Sequence, residues 1–349
     1  MSFPMLVRPP PMRNKCLTLL FDGNLMVRRF YEALKPHDPI RCSRNIISRI
    51  RGLAEALGPS YMAILQDDPQ RSYFRKLIDP QYKAVRHSGV ATSKRSFESA
   101  SAVSMLGNDA LDTMVQNTGN IDAELTVDDN DVEFKETLFK VRQQCERILG
   151  IQWVTVAGYE ADDLLATYAK LAMNHSPRST LAKYQGDTDG LGEDGPCVVM
   201  LSADKDLYQL LRPDVYLCDP TKRFSFLMDA YVRHKFHIMP DQFVDLQALM
   251  GDAADGIRGL DGIGPVRGAF LLNQNGGTLK SLYDKIDSNT AIIPKPQDSI
   301  TKSLKDHRER IFRNQSIFRL VDDVSVPVPM KDLQWQMPLE RRSHLFSRT

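Results

Sequence analysis

Residues 16–23 read CLTLLFDG, a short apolar run that stops at an aspartate and a glycine. An apolar run closed by turn-forming residues predicts a buried strand followed by a turn. YMAIL at 61–65 and VVML at 198–201 repeat the pattern, and an aspartate follows each run within three residues. Apolar residues at helical spacing lie between these strands, as at 46–57. Strands that alternate with helices predict an α/β fold with a mostly parallel central sheet flanked by helices.

Acidic residues follow these predicted strands and recur in two later segments. In a parallel sheet the carboxyl ends of the strands lie along one edge, where binding sites form. GYEADD at 158–163 begins a predicted helix, and GDAADG at 251–256 lies in a later turn. The carboxylates concerned are Asp22, Asp67, Asp68, Glu160, Asp162, Asp163, Asp204, Asp206, Asp252 and Asp255. Any one of them could serve only as a helix cap or a turn former, but together they predict a shared site.

So many carboxylates in one place would repel each other strongly unless cations lay between them. Oxygen ligands without histidine or cysteine favour Mg²⁺, with Mn²⁺ as a substitute, over Zn²⁺. Two such ions, roughly 4 Å apart or somewhat more, would stabilise the attacking and leaving oxygens of a phosphodiester cut. A metal-bound water with a lowered pKa would supply the nucleophile. The acids therefore predict a site for two Mg²⁺ ions that hydrolyses phosphodiesters.

The charge of the chain changes sign between two neighbouring segments. Residues 71–95 contain seven lysines and arginines against a single aspartate, whereas residues 98–136 are rich in acids. Arg75 and Lys83 are eight residues apart, near two helical turns, so we predict that they share one face of a helix. The acidic segment is predicted to be either a mobile loop or an insert with weak helices.

A glycine-rich turn, GLDGIGP at 259–265, separates two predicted helices within residues 240–272. Gly262 and Gly264 would let backbone N–H groups approach an anion at the start of the second helix. The same turn could also serve helix packing alone. The sequence therefore offers a phosphate-binding turn as one interpretation of this segment.

The bulk composition sets limits on the protein class. The formal net charge is +1, so DNA binding cannot be argued from net charge. The five cysteines are odd in number and include no C-x-x-C pair, which disfavours a disulfide framework and favours an intracellular, reducing compartment. A cytoplasmic location is expected before an organellar one. The chain has no apolar run near 18 residues, so no membrane span is predicted.

In combination these segments resemble the 5′-nuclease family. Its members are flap endonucleases, phage 5′-exonucleases and the N-terminal 5′-nuclease domain of bacterial DNA polymerase I. The resemblance covers most of residues 17–283 and rests on five stretches in the family's order. They read LLFDGNLMVRRFYEAL, DDPQRSYFRKLIDPQYKAVR, GYEADDLLATYAK, VVMLSADKDLYQLL and ALMGDAADGIRGLDGIGPVRGAFLL.

The resemblance implies a domain plan. A PIN-like α/β nuclease domain is expected at 16–220, after an N-terminal arm at 1–15. A helical arch insertion is expected at about 71–137 of this domain. A helical domain would follow at 221–349, with a helix–hairpin–helix at about 240–272.

The resemblance also implies roles for individual residues. By its distance from Phe74, Asp68 resembles the second-strand metal ligand, with Asp67 as the alternative. The other metal ligands implied are Asp22, Glu160, Asp162, Asp163, Asp204, Asp206, Asp252 and Asp255. Arg75 and Lys83 resemble catalytic residues that steer the scissile phosphate. The DNA-binding residues implied are Arg29, Tyr82, Arg86, Gly262, Ile263, Gly264 and Arg267. The hairpin carbonyls of the family often also hold a K⁺ ion.

The function implied is that of a structure-specific 5′-3′ exonuclease and flap endonuclease in primer removal or repair. Its partner would be DNA with 5′ flaps, nicks or branches, or an RNA primer on DNA, and the chain would act as a monomer. Two segments depart from the family pattern. Gly256 stands where the family usually has Asn, and Pro265-Val266 stand where it has Glu-Lys.

Three other protein classes share part of this sequence pattern. A non-catalytic DNA-junction-binding relative would tend to lose the carboxylates of one metal site, and all are present here. A phosphatase with an aspartyl nucleophile needs a second aspartate two residues after Asp22, where this chain has Asn24. A structural scaffold would use the acids only as caps.

Overall fold

The computed structural model describes residues 15–33, 38–70, 73–83, 130–175, 195–219 and 225–336. Residues 1–14 of the predicted N-terminal arm, most of the predicted arch and Arg86 lie outside the described residues. The described part contains no helix that is long and apolar enough to cross a membrane.

A six-stranded sheet forms the centre of the N-terminal half. Its strands are β1 (Cys16–Asp22), β2 (Tyr61–Gln66), β3 (Gln152–Thr155), β4 (Pro196–Leu201), β5 (Val215–Asp219) and β6 (Ser225–Leu227). They lie in the order β3-β2-β1-β4-β5-β6, and all neighbours are parallel except β5 and β6. The predicted mostly parallel sheet is confirmed. The sheet extends beyond residue 220, where the first domain was predicted to end.

Helices cover both faces of the sheet, and a smaller ribbon lies in the C-terminal half. The α-helices are α1 (Gly23–Glu32), α2 (Pro39–Leu57), α3 (Arg75–Ile78), α4 (Asn130–Gln144), α5 (Ala161–Asn174), α6 (Asp229–Phe236), α7 (Phe243–Met250), α8 (Pro265–Gln274), α9 (Leu279–Asp287), α10 (Gln297–Asp306) and α11 (Arg308–Phe318). The ribbon pairs β7 (Gly251–Asp252) with β8 (Ile257–Arg258).

Successive residues of β1 point to opposite faces, as the period of a strand requires. Leu17, Leu19 and Phe21 pack with α1, α2 and α4 in one apolar core. Leu20 packs on the other side with α5 and the helices of the C-terminal half. The same alternation occurs in β2 and β4, so the sheet has one apolar core on each face. This packing on both faces fixes the position of the carboxyl edge of the sheet.

The register brings the carboxyl ends of the central strands to one level. Asp22 of β1 pairs with Leu65 of β2, and Phe21 pairs with Leu201 of β4. The residues that follow these strands therefore meet at one edge, as the sequence predicted.

The predicted helix from Arg75 to Lys83 is wrong in length. Helix α3 ends at Ile78, and a turn follows in which Lys83 has a positive φ of 56°. Pro80 cannot continue a helix with its neighbours, because proline disfavours the helical conformation of the residue before it. Arg75 and Lys83 therefore do not share a helical face.

Candidate active site

Asp22 lies at the carboxyl edge of the sheet, where β1 passes into α1. Its carboxylate caps α1 by accepting the N–H of Leu25 at 3.0 Å, and it accepts the Ser202 hydroxyl at 2.9 Å. Burial, followed by the charge of Asp67 and offset in part by these hydrogen bonds, raises the pKa of Asp22 to about 7. A buried carboxylate with a raised pKa is one that a cation would stabilise.

Asp162 shares this environment from the first turn of α5. Burial, then the charges of Asp204 and Asp22, raises its pKa well above the ordinary value. Asp206 behaves in the same way: burial and the charge of Asp204 raise its pKa to about 7, although Gln247 donates to it at 2.6 Å. Four carboxylates from three segments therefore repel one another within one site.

Asp204 connects the two sides of this site. It caps the short 3₁₀ helix Lys205–Leu210 by accepting the N–H of Asp206 at 2.9 Å. Its charge raises the pKa of Asp22, Asp162 and Asp206 alike. The Ser-Ala-Asp-Lys-Asp sequence thus places two carboxylates in the site, as predicted.

Asp252 and Asp255 come from the ribbon of the C-terminal half. The Asp252 carboxylate forms an ion pair with Lys205 at 2.8 Å, so the half-exposed Lys205 side chain is in contact with both solvent and this acid. Asp255 is buried, and its charge contributes to the raised pKa of Asp206. The structure therefore brings the last predicted pair of acids to the site beside Asp206.

Asp67 and Asp68 differ in what they face. The Asp68 carboxylate accepts backbone N–H groups from Gln70 and Gly158, both at 3.0 Å, and is almost fully buried. Asp67 accepts from Asn24 at 2.7 Å, and its charge acts directly on Asp22. The family spacing favoured Asp68, whereas the structure places Asp67 beside the carboxylate array.

Glu160 and Asp163 turn away from the array and pair with Arg75. The guanidinium binds Asp163 through two hydrogen bonds of 2.6 and 2.7 Å and Glu160 through a third of 3.1 Å. Its remaining N–H groups donate to the carbonyls of Ile317 and Arg319. Burial by itself would lower the pKa of Arg75, but the hydrogen bonds to Asp163 and the charge of Asp163 outweigh it and raise that pKa.

These contacts correct the expectation that Arg75 steers the scissile phosphate. The side chain is 2% exposed, and all five of its N–H donors are engaged within the protein. They also correct the expectation that Asp163 faces the metals, because its carboxylate is fully buried against Arg75. Sequence spacing could not separate Asp163 from Asp162, since both lie in the first turn of α5.

Lys83 and Tyr82 complete this buried group. Tyr82 is 5% exposed and donates to Glu160 at 2.9 Å, so the prediction that Tyr82 contacts DNA is not supported by its position. The Lys83 ammonium also binds Glu160, but Lys83 lines the cavity beside the carboxylate array, and its charge offsets part of the rise in the pKa of Asp162. Lys83 is therefore the basic residue placed between the neutralised acids and the open ones.

A cavity of about 660 Å³ lies beside the array, and its lining is mixed in charge. The acidic residues that line it are Asp22, Asp67, Asp68, Asp162 and Asp204. A basic and aromatic group, which we call the basic wall, lines the same cavity and consists of Arg28, Lys76, Phe134, Lys135, Phe139 and Arg142. Phe139 is 59% exposed, and the Arg28 guanidinium lies 3.5 Å from the centroid of the Phe134 ring.

Sequence reasoning missed this wall. It named Arg29, which is exposed but does not line the cavity, while the preceding Arg28 does. Asn24, Leu25 and Arg28 are spaced to share one face of α1, so the helical period could have identified Arg28. Nothing in the sequence alone indicated that α4 would close the cavity, because that contact is made across the fold.

The glycine-rich turn joins α7 and the ribbon to α8. Gly262 has a positive φ of 76°, which favours glycine, and Pro265 occupies the first turn of α8. A side chain at Gly264 would meet no atom within 4 Å, so this glycine leaves open space beside the helix start. Ile263 is buried in the core instead of exposed for DNA, and Arg267 donates to the Gly262 carbonyl at 2.9 Å.

The carboxylate array offers only oxygen ligands for a cation. Among the described residues, no three acidic, histidine or cysteine side chains converge closely enough to hold one ion in the present arrangement. The array is nevertheless built from oxygen donors, and burial together with the charges of neighbouring carboxylates raises the pKa of Asp22, Asp162 and Asp206. That chemistry fits a hard divalent cation such as Mg²⁺.

Two sequence profiles match nearly the whole chain. The N-terminal resolvase-like domain of 5′-3′ exonucleases matches residues 17–237, and their C-terminal SAM fold matches residues 238–341. The chain belongs to the 5′-3′ exonuclease family. The family is one of nucleases that act on DNA.

Two curated proteins are similar in sequence to this member of the 5′-3′ exonuclease family. The 5′-3′ exonuclease of Buchnera aphidicola subsp. Acyrthosiphon pisum is 27% identical over 185 residues, 53% of this chain and 57% of that protein. DNA polymerase I of Deinococcus radiodurans is 32% identical over 180 residues, 52% of this chain and 16% of the polymerase. The aligned part thus spans little more than half the length of the first relative.

Solved structures share the fold. T5 5′-exonuclease with bound divalent zinc ions gives a TM-score of 0.61 at 23% identity, over 87% of this chain and 90% of that one. The bacteriophage T5 flap endonuclease in a pseudo-enzyme-product complex with DNA and metal ions gives 0.61 at 22% identity, over 88% and 89%. The predicted α/β domain with a C-terminal helix–hairpin–helix is confirmed at the level of the fold.

The structure explains one departure from the 5′-3′ exonuclease pattern. Gly256, where the family usually has Asn, has a positive φ of 74°. Asparagine and glycine are the residues that most readily adopt this conformation, so the exchange keeps the turn between Asp255 and Ile257.

Proposed function

We propose that this protein is a metal-dependent 5′-3′ exonuclease and flap endonuclease that hydrolyses DNA near 5′ ends and junctions, in primer removal or repair. The observation that carries the proposal is the array of Asp22, Asp162, Asp204 and Asp206, in which burial and neighbouring carboxylates raise the pKa of Asp22, Asp162 and Asp206. Asp22, Asp162 and Asp204 also line a cavity together with basic residues. The non-catalytic relative is the alternative that the experiment below separates.

The residues that would together hold a pair of Mg²⁺ ions are Asp22, Asp67, Asp162, Asp204, Asp206, Asp252 and Asp255. When bound, the ions would lower the pKa of a water and stabilise the charge of the cleaved phosphodiester. The protein itself supplies rigidity: Ser202 and Gln247 fix the orientation of Asp22 and Asp206 through hydrogen bonds of 2.9 and 2.6 Å.

The basic wall suits a DNA strand. Lys135 and Arg142 of α4 can neutralise phosphates, and Phe139 offers an exposed ring for base stacking. Lys83 lines the same cavity as four of these acids, and its charge would attract the phosphate that is cut. Such contacts are independent of base identity, as a structure-specific nuclease requires.

The test uses the full chain and a 5′-labelled flap on duplex DNA. We expect cleavage with Mg²⁺ or Mn²⁺ and none with EDTA. Asp204→Asn keeps the cap of the 3₁₀ helix but removes a charge, so it should abolish cleavage while flap affinity in Ca²⁺ stays within about twofold. Binding without cleavage by the wild-type chain in Mg²⁺ and Mn²⁺ would instead establish the non-catalytic alternative.

A further inference from the structure

The hairpin between the ribbon and α8 has backbone carbonyls that already accept hydrogen bonds from the protein. Leu260 accepts the N–H of Ile263 at 3.2 Å, and Gly264 accepts that of Gly268 at 2.8 Å. The carbonyls of Arg258, Gly259 and Gly262 accept side-chain donors instead. The K⁺ ion implied by the family resemblance would share each of these five oxygens that it bound with a donor from the protein.

Helix α11 supplies two of the side-chain donors. Asn314 is 1% exposed, and its amide donates to the carbonyl of Ala248 at the end of α7 and to that of Arg258 at 2.9 Å. Arg310 donates to the Gly259 carbonyl at 3.1 Å. These hydrogen bonds hold the hairpin against α11.

Arg267 of α8 supplies the third donor. Its guanidinium binds the Gly262 carbonyl at 2.9 Å, across the glycine that has a positive φ. The hairpin therefore has a permanent cationic group on two of its carbonyls, one from Arg310 and one from Arg267.

We propose that these two guanidinium groups supply the positive charge that a monovalent cation would otherwise supply to the hairpin. The stability of the hairpin and its grip on duplex DNA should therefore be independent of K⁺. The part that concerns DNA rests on the proposed function, whereas the part that concerns stability does not.

The physical reason is that a guanidinium attached to the chain needs no binding equilibrium. An ion that binds only the folded state adds stability that depends on its concentration, and a covalently attached charge does not. Arginine also remains charged at all ordinary pH values and donates from a fixed plane, so it can satisfy a carbonyl continuously.

The experiment compares KCl with tetramethylammonium chloride at equal ionic strength and with EDTA present. We measure the thermal midpoint, and the affinity for a blunt duplex by fluorescence anisotropy. For the wild type, the two salts should give the same midpoint and affinities within about twofold. Dependence of either quantity on K⁺, at about tenfold in affinity or several degrees in midpoint, would overturn the proposal.

Arg267→Gln combined with Arg310→Gln tests the assignment itself. We expect this variant to bind duplex about tenfold more weakly in tetramethylammonium and to regain part of the loss in KCl. The matched control is Arg308→Gln on α11, because Arg308 pairs with Asp287 and not with the hairpin. If the double variant does not fold, Arg267→Gln alone serves, since Arg267 is exposed.

Two further outcomes are informative. A double variant that keeps full affinity in both salts would show that the guanidinium groups are not the source of the charge. If no salt supports duplex binding by the wild type, the proposed function fails, while the comparison of thermal midpoints still decides whether the hairpin needs K⁺.

Discussion

Asp162 and Asp163 are neighbours in the first turn of α5, yet they belong to two different electrostatic regions. Asp162 faces Asp22 and Asp204, and its pKa is raised because burial and like charges surround it. Asp163 faces Arg75, which binds both of its oxygens. One region is an open acidic array, and the other is a neutralised ion-pair cluster of Arg75, Glu160, Asp163, Tyr82 and Lys83.

The difference shows that acidic residues of one segment can have opposite roles. In the neutralised cluster, the carboxylates are buried and paired, so they form part of the folded framework. Removal of the Arg75 guanidinium would leave their buried negative charge unpaired. In the open array, aspartates lower the stability of the folded state unless a metal cation is bound between them. Such a loss of stability is typical of a functional site. The following predictions test this division.

The largest effect is expected where the neutralised cluster is broken. Arg75→Met leaves Asp163 and Glu160 buried without their main partner, so unfolding by urea should require about 3–5 kcal/mol less free energy. Arg313→Met is the control, since Arg313 is half-exposed and lies 3.6 Å from Asp79, and should cost under about 1 kcal/mol. Equal stability of the two variants would contradict the cluster's structural role.

The two neighbouring aspartates should separate activity from stability. Asp162→Asn should lower turnover about 100- to 1000-fold without loss of stability, because it removes a charge from the open array. Asp163→Asn should instead cost about 1–3 kcal/mol of stability and change turnover little, because it weakens the pair with Arg75. Turnover is measured by flap cleavage and stability by urea unfolding. If Asp163→Asn lost turnover and Asp162→Asn lost stability, the roles of the two aspartates would be exchanged.

Lys83 lies at the boundary of the two regions. Lys83→Met should lower turnover about 10- to 100-fold while affinity for the flap stays within about twofold, since its charge acts mainly on the phosphate that is cut. Lys140→Met is the control because Lys140 pairs with Glu136 on α4. A loss of affinity with unchanged turnover would make Lys83 a general binding residue.

The smallest effect concerns the metal-free protein and pH. The pKa of Asp22 is raised from 3.8 to about 7, so the folded state holds its proton more tightly than the unfolded state. Stability in EDTA should therefore be highest near pH 4, decline as pH rises to about 7, and then level off. Asp22→Asn should be more stable than the wild type by about 1–2 kcal/mol at pH 8. No gain at pH 8 would show that Asp22 is not under repulsion.

The sequence alone determined the frame of this protein. Apolar runs that end in aspartate, with helical spacing between them, were sufficient for a parallel α/β sheet, because strand and helix periods are local properties. Asp22, Asp162, Asp204 and Asp206 could be placed at one edge for the same reason: parallel strands have their carboxyl ends together. The glycine-rich turn was also found from its composition.

Only the tertiary structure decided how the acids divide and what lies opposite them. Arg75 is neutralised by residues more than eighty positions away, and its pairing removes Asp163 from the array. Arg28 meets Phe134, and Asp67 rather than Asp68 acts on Asp22, through contacts between separate elements. The direction of a side chain at a turn, and the charge it meets across the fold, are set by packing between segments and leave no periodic signal in the sequence.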